Sequence, residues 1–239
     1  QQQGNRPEAI RQLRPMTDGV VPITLEERKG RIEKAQRLMR ENRVDAIYLE
    51  PGSSMLYFTG MRWGTSERMF AAVIPARGEI AWVCPKFEEE RARELIKMGN
   101  DIRTWEEDES PYNRVAEIFR DRGVRTGTGG IEERVRFFLC DGIRKAAPSL
   151  KYVDATPITA GCRMYKSATE LALMQKANDI TIVAYKATRD SMTEGMTQRE
   201  FAGICSSAFS ALGSSGGIFV SFGKYSAFPH GSSTPQRLK

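Results

Sequence analysis

Histidine is almost absent: the 239 residues contain a single one, His230. Cysteine is scarce as well, and Cys84, Cys140, Cys162 and Cys205 stand far apart with no Cys-x-x-Cys pair. A structural zinc site needs four such ligands at short spacing, so that class is excluded and the cysteines read as buried free thiols. No apolar run approaches the roughly 20 residues of a membrane helix. The net charge of +6 is spread, because basic and acidic residues alternate, as in Glu88-Glu-Glu-Arg-Ala-Arg-Glu94. No basic stripe emerges, which argues against a nucleic-acid groove. The acidic runs at Glu88–Glu90 and Glu106–Glu109 read as solvated faces. A nucleotide-binding alternative rests on Thr126-Gly-Thr-Gly-Gly130, but Glu132 stands where the third glycine of a dinucleotide fingerprint falls, and there is no Gly-Lys-Ser/Thr.

What is present is the composition of a globular α/β protein, 40% hydrophobic and 28% charged. The chain begins Gln1-Gln-Gln-Gly-Asn, a start that fits either a removed leader or a trimmed chain, and leaves the compartment open. Residues 1–23, with three prolines, read as a polar arm. Thr24-Leu-Glu-Glu27 is a capping box, opening a helix to about Asn42 with Leu25, Ile32, Ala35 and Met39 as its apolar stripe. A strand over Val44–Leu49 follows, and Met55–Gly60 is expected to return the chain to the sheet. A hairpin over Phe70–Ile74 and Ile80–Cys84 comes next. Helix signals run from Lys86 to Met98, from Pro111 to Gly123 and from about Glu133 to Ala146. Strands are expected at Asp101–Trp105, between Gly123 and Glu133, near Tyr152 and near Ile158. Residues 24–160 therefore read as an α/β domain with a mixed sheet flanked by helices.

A second domain, 161–239, follows. Ser167-Ala-Thr-Glu170 is a second capping box, opening the longest helix with a narrow stripe of Leu173, Ala177, Ile180, Ala184 and Ala187. Thr197-Gln-Arg-Glu200 is a third, starting a helix to about Leu212. Ile218–Phe222, bounded by glycines, reads as a buried strand. The loop after it carries Phe228-Pro-His-Gly231, in which Pro229 restricts the backbone and Gly231 permits a sharp turn. From these residues alone, His230 fits an ordinary Pro-Gly turn as well as a proton-donating role near neutral pH.

Three stretches together carry a resemblance. Gly-x-x-Ser-Ala-x-Pro-His-Gly after a strand, Arg163-x-x-Lys-Ser-x-x-Glu170 ahead of a long helix, and Pro51-Gly-Ser-Ser-Met-Leu-Tyr-Phe-Thr-Gly60 resemble the pita-bread metallopeptidases, Xaa-Pro dipeptidase and aminopeptidase P. The match runs from about Thr24 onward. It implies a creatinase/prolidase-type N-terminal domain, the first part of a pita-bread catalytic domain, and hydrolysis of proline-containing peptides. It implies two divalent metal ions (manganese, cobalt or zinc) in the complete family site. The metal ligands would lie beyond Lys239, so this chain is expected to hold no metal and to be inactive alone. His230 matches the family's auxiliary histidine beside the metals. The loop Met61–Arg68 matches one that approaches a partner subunit's site, implying a homodimer and making Trp63 and Arg68 candidate substrate-binding residues, with Phe219 a third candidate ahead of the His230 loop. No nucleic-acid or membrane partner is expected. A creatinase-like C–N hydrolase and a non-catalytic peptide-binding module are the alternatives the same resemblance allows.

Overall fold

The computed structural model describes residues 7–239. They divide into two compact units: Ile23–Lys166, and Ser167–Lys239 together with the N-terminal stretch through Pro22. In chain order the elements begin α1 (Glu8–Arg11), α2 (Leu25–Glu41), β1 (Ala46–Leu49), α3 (Ser53–Thr59), β2 (Ala71–Pro75) and β3 (Ala81–Pro85). Then come α4 (Glu89–Leu95), β4 (Asp101–Trp105), α5 (Pro111–Asp121), β5 (Gly127–Ile131), α6 (Phe137–Ala146) and β6 (Leu150–Asp154). Three helices close the order: α7 (Thr156–Arg163), α8 (Ala168–Arg189) and α9 (Gln198–Ala211).

The first unit is a six-stranded mixed sheet in the order β4-β3-β2-β1-β5-β6. It is antiparallel across β1–β2 and β2–β3 and parallel elsewhere. Every residue of β1, β2 and β3 is buried, as a sheet covered on both faces requires. The period of two sorts them. Ile47, Leu49, Ile74, Trp82 and Cys84 face a core with Met39 of α2, Phe58 of α3 and Ile158 of α7. Ala46, Tyr48, Val73 and Val83 face a second core with Phe119 of α5 and Ile143 of α6.

Two sequence expectations fail here, and one alternative is removed. Met55–Gly60 is not strand but most of α3, because its last carbonyls are capped from outside. Arg28 donates to Leu56 O at 2.7 Å and Arg31 to Tyr57 O at 2.9 Å, while Gly60 turns left-handed at φ 79°. The segment near Ile158 is α7: Asp154 accepts from the Thr156 N–H at 3.0 Å, and Pro157 sits in the first turn. The glycine-rich run is β5, paired in parallel with β1 and β6, which removes the nucleotide-loop alternative. A Cβ on Gly130 would lie 3.0 Å from Ile47 Cγ2 and 3.2 Å from Ala155 Cβ, so close packing is what the small residue serves.

Boundaries also move. Leu25, expected in the α2 stripe, is exposed in the first turn. The helix after Lys86 starts as a short 3-10 turn and ends at Leu95. The helix expected from Glu133 starts at Phe137, because the preceding Arg136 is held by the buried carboxylate of Glu50. Arg136 donates its backbone N–H to Glu50 Oε2 at 3.1 Å and its Nε to Glu50 Oε1 at 2.6 Å.

Helices α2 and α5 end alike, each with paired backbone bonds closing the last turn. Val44 N–H donates to Met39 O and Arg43 N–H to Arg40 O; in α5 the matching donors are Val124 and Gly123. Gly123 takes the left-handed position after α5, while Arg43 takes it after α2, at φ 56°. A side chain there costs about 1–2 kcal/mol relative to glycine.

The second unit is helical. Ile180, Ala184 and Ala187 of α8 pack on Cys205, Ala208 and Phe209 of α9. In the first turns of α8, Leu173 is only partly buried and Ala177 is exposed. The capping boxes at Ser167 and Thr197 both close reciprocally. The stretch read as a polar arm is part of this unit: Ile10 on α1 is buried in the same cluster. Residues 1–6 of that arm lie outside the described residues.

Candidate functional site

His230 sits on a closed loop. Ile218–Phe222, expected as a strand, forms none, since none of the described residues supplies a neighbouring strand to it. A strand is defined by its ladder, and without a partner the backbone turns to side chains instead. Gln198 at the start of α9 donates Nε2 to Val220 O at 2.9 Å. Gln236, almost fully buried, accepts the Phe222 N–H on Oε1 at 2.7 Å. The chain beyond it lies antiparallel to residues 195–197: Thr197 bridges Arg237, Gly195 N–H donates to Leu238 O at 2.8 Å, and Leu238 N–H donates to Met196 O at 2.8 Å. The segment between Phe222 and Gln236, which opens with a short 3-10 helix over Gly223–Ala227, is therefore clamped at its base.

At its tip, Gly231 N–H donates to Phe228 O at 3.0 Å, so Phe228–Gly231 is a hydrogen-bonded turn with His230 at its third position. Gly231 is left-handed at φ 79°, and a Cβ there would lie 2.6 Å from Phe219 Cζ. The Phe219 ring thus lies against the turn that carries His230, while remaining 69% exposed. The imidazole is solvent-facing and forms no hydrogen bond to another described residue.

Trp63 and Arg68 belong to the α/β unit. Trp63 stacks on the buried Phe70, ring centroids 4.2 Å apart and 10° from parallel, and the Arg91 guanidinium lies 4.6 Å from its ring. Arg68 Nε donates to Glu107 Oε1 at 2.6 Å, its guanidinium also meets Glu67, and it lies 5.4 Å from the exposed ring of Phe87. The structure thus joins His230 with Phe219 in one unit and Trp63 with Arg68 on one loop in the other. Sequence reading missed Gln198 and Gln236, which shape the His230 loop; a lone glutamine carries no pattern that would expose it.

Among the described residues, no group of three or more His, Cys, Asp or Glu side chains is placed to hold a metal ion. Several members of the acidic runs are engaged in ion pairs: Glu89 with Lys86 and Arg93, Glu107 with Arg68, Glu109 with Arg114. These donors do not fit a dinuclear centre. The cysteines are all free; burial pushes the Cys84 thiol up to about 12 and that of Cys162 up to about 11, so neither is a ready nucleophile. No helix among the described residues is long and apolar enough to cross a membrane.

Residues 31–165 match the Creatinase/Prolidase N-terminal domain family. An uncharacterized peptidase of Schizosaccharomyces pombe is 32% identical, the match covering 94% of this chain and 52% of that protein. A Xaa-Pro dipeptidase of Pyrococcus furiosus is 24% identical over 88% of this chain and 58% of its own. The crystal structure of dipeptidase PepE from Mycobacterium ulcerans superposes with a TM-score of 0.75 at 23% identity, covering 89% of this chain and 57% of that one. The chain spans little more than half the length of the relatives it matches.

Proposed function

The chain belongs to the Creatinase/Prolidase N-terminal domain family, and from that membership we propose that it forms part of a hydrolase that cleaves Xaa-Pro peptide bonds. The observation that carries this reading is the likeness along 88–94% of the chain to proteins named peptidase and Xaa-Pro dipeptidase. The division of labour follows from the donors present. Two divalent metals would supply the activated water and the polarised carbonyl. The described residues hold no cage for them, so the chemistry assigned to this chain is positioning and charge stabilisation. His230, on its clamped turn, is proposed to hydrogen-bond the oxyanion or the departing nitrogen as the tetrahedral intermediate forms. Phe219 beside it offers an apolar surface for a proline ring.

The test is turnover of Xaa-Pro against Xaa-Ala dipeptides by the protein carrying this chain, with manganese supplied and after chelation. Hydrolysis restricted to Xaa-Pro and abolished by chelation is the expected result. Absence of turnover while a proline peptide still binds would favour the non-catalytic peptide-binding module. Turnover that survives chelation would favour a metal-free C–N hydrolase.

Trp63 and Arg68 are proposed to reach the substrate cleft of a partner subunit in a homodimer. Trp63 is braced by Phe70 and Arg91, and braced Trp and Arg are favoured anchors at interfaces. Trp63→Ala is expected to raise the Michaelis constant or shift the oligomer toward monomer. Unchanged values in gel filtration and steady-state kinetics would sink this assignment.

A further inference from the structure

Where β1 and β5 enter the sheet, a depression of about 540 Å³ is lined by Arg40, Arg43, Asp45, Arg77, Arg122 and Gly123, among others. The four arginines come from three places: the end of α2, the turn between β2 and β3, and the end of α5. Their engagements differ. Arg122 donates to Asp101 at 3.0 Å, and Arg40 gives one N–H to the Ala76 carbonyl at 3.0 Å. Arg40, Arg43 and Arg77 form no salt bridge with a carboxylate among the described residues. The carboxylate lining the depression, Asp45, already accepts the Thr128 N–H at 2.8 Å. Two helix C-termini add a partial negative charge of about −0.5 each. Three guanidiniums outweigh these, so the depression is net positive.

Arg43 strengthens the case. It holds the left-handed position that Gly123 holds after α5, so the backbone strain is kept together with a guanidinium that lines the depression. Non-glycine residues in such conformations gather at binding sites. Arginine forks match tetrahedral oxyanions through paired hydrogen bonds, and several forks around one opening suit a ligand with several charged oxygens.

We propose that this depression binds a compact phosphate-bearing anion with two or more negative charges, held by Arg43 and Arg77 with Arg40 beside them. A soluble polyphosphate or nucleotide and a phosphomonoester lipid headgroup share that chemistry.

Inorganic tripolyphosphate titrated into the 239-residue chain at low salt tests it by calorimetry. Arg43→Gly and Arg77→Gln are each expected to weaken binding about tenfold or more, the loss of a charge-assisted hydrogen bond. Arg37→Gln is expected to change nothing, because Arg37 does not line the depression and lies 3.8 Å from Glu41. Arg43→Gly relieves the left-handed strain, so its urea midpoint should equal or exceed the parent's, separating lost binding from lost folding. Sedimentation with phosphatidylcholine vesicles, with and without phosphatidic acid, distinguishes the sources. Co-sedimentation that needs phosphatidic acid and Arg43 assigns the headgroup, while calorimetric binding without it assigns a soluble anion. No binding in either assay overturns the proposal. So does tripolyphosphate binding that Arg43→Gly and Arg77→Gln leave within about twofold, the result expected from diffuse attraction to a net-positive chain.

Discussion

His230→Ala in the protein carrying this chain is expected to lower kcat on a Xaa-Pro dipeptide by about a hundred- to a thousandfold. That is the usual consequence of removing one hydrogen-bond donor aimed at a developing oxyanion. The Michaelis constant should move little, because the contact strengthens only as charge develops in the transition state. Folding should be unaffected: the imidazole is exposed and bonded to no described residue, and such positions usually change stability by no more than about 0.5 kcal/mol. The loop itself is held by Gln198 and Gln236 rather than by His230. Metal content should therefore be unchanged. A variant that loses its metals would make His230 a ligand, and one with near-normal turnover would leave an ordinary Pro-His-Gly turn.

The largest stability effect is expected at Trp82. It is fully buried in β3, with β2 and β4 on either side, its ring 5.9 Å from that of Phe70. Its indole N–H donates to Met98 O at 2.8 Å. Trp82→Ala removes the largest side chain of that core and orphans a carbonyl, so a loss of about 3–5 kcal/mol is expected. Against a typical total of about 5–15 kcal/mol, that is a large share of the protein's stability. Trp82→Phe keeps most of the packing and loses the hydrogen bond, and should cost appreciably less. Urea unfolding followed by circular dichroism reads both as shifts in midpoint at constant slope. An alanine variant within about 1 kcal/mol of the parent would mean that Trp82 does not fill the core as described.

Much of this molecule was legible without coordinates, for a definite reason. The capping boxes at Ser167 and Thr197 are satisfied within four residues, so the local sequence suffices to place the helices they open. The hairpin of β2 and β3 follows from two apolar runs around a short turn, which the register of Ala71 with Val83 confirms. The order of motifs also carried the family, which the match over residues 31–165 bears out.

What tertiary structure alone decided is wherever a backbone group finds its partner far along the chain. Met55–Thr59 is helical because arginines some 26 to 29 residues earlier cap its carbonyls. By contrast, the segment near Ile158 is helix because Asp154 caps its first turn and Pro157 sits in it, where a strand was expected. Ile218–Phe222, with a strand-like composition, is unpaired because no described strand neighbours it, and Gln198 and Gln236 serve its backbone instead. The arginine-lined depression belongs to the same class. In sequence its arginines are interleaved with acids and form no stripe, and only the packing of two helix ends beside a turn gathers them. Periodicity and caps are short-range and can be read along a chain, whereas pairing partners and charge convergence are set by contacts between residues distant in sequence.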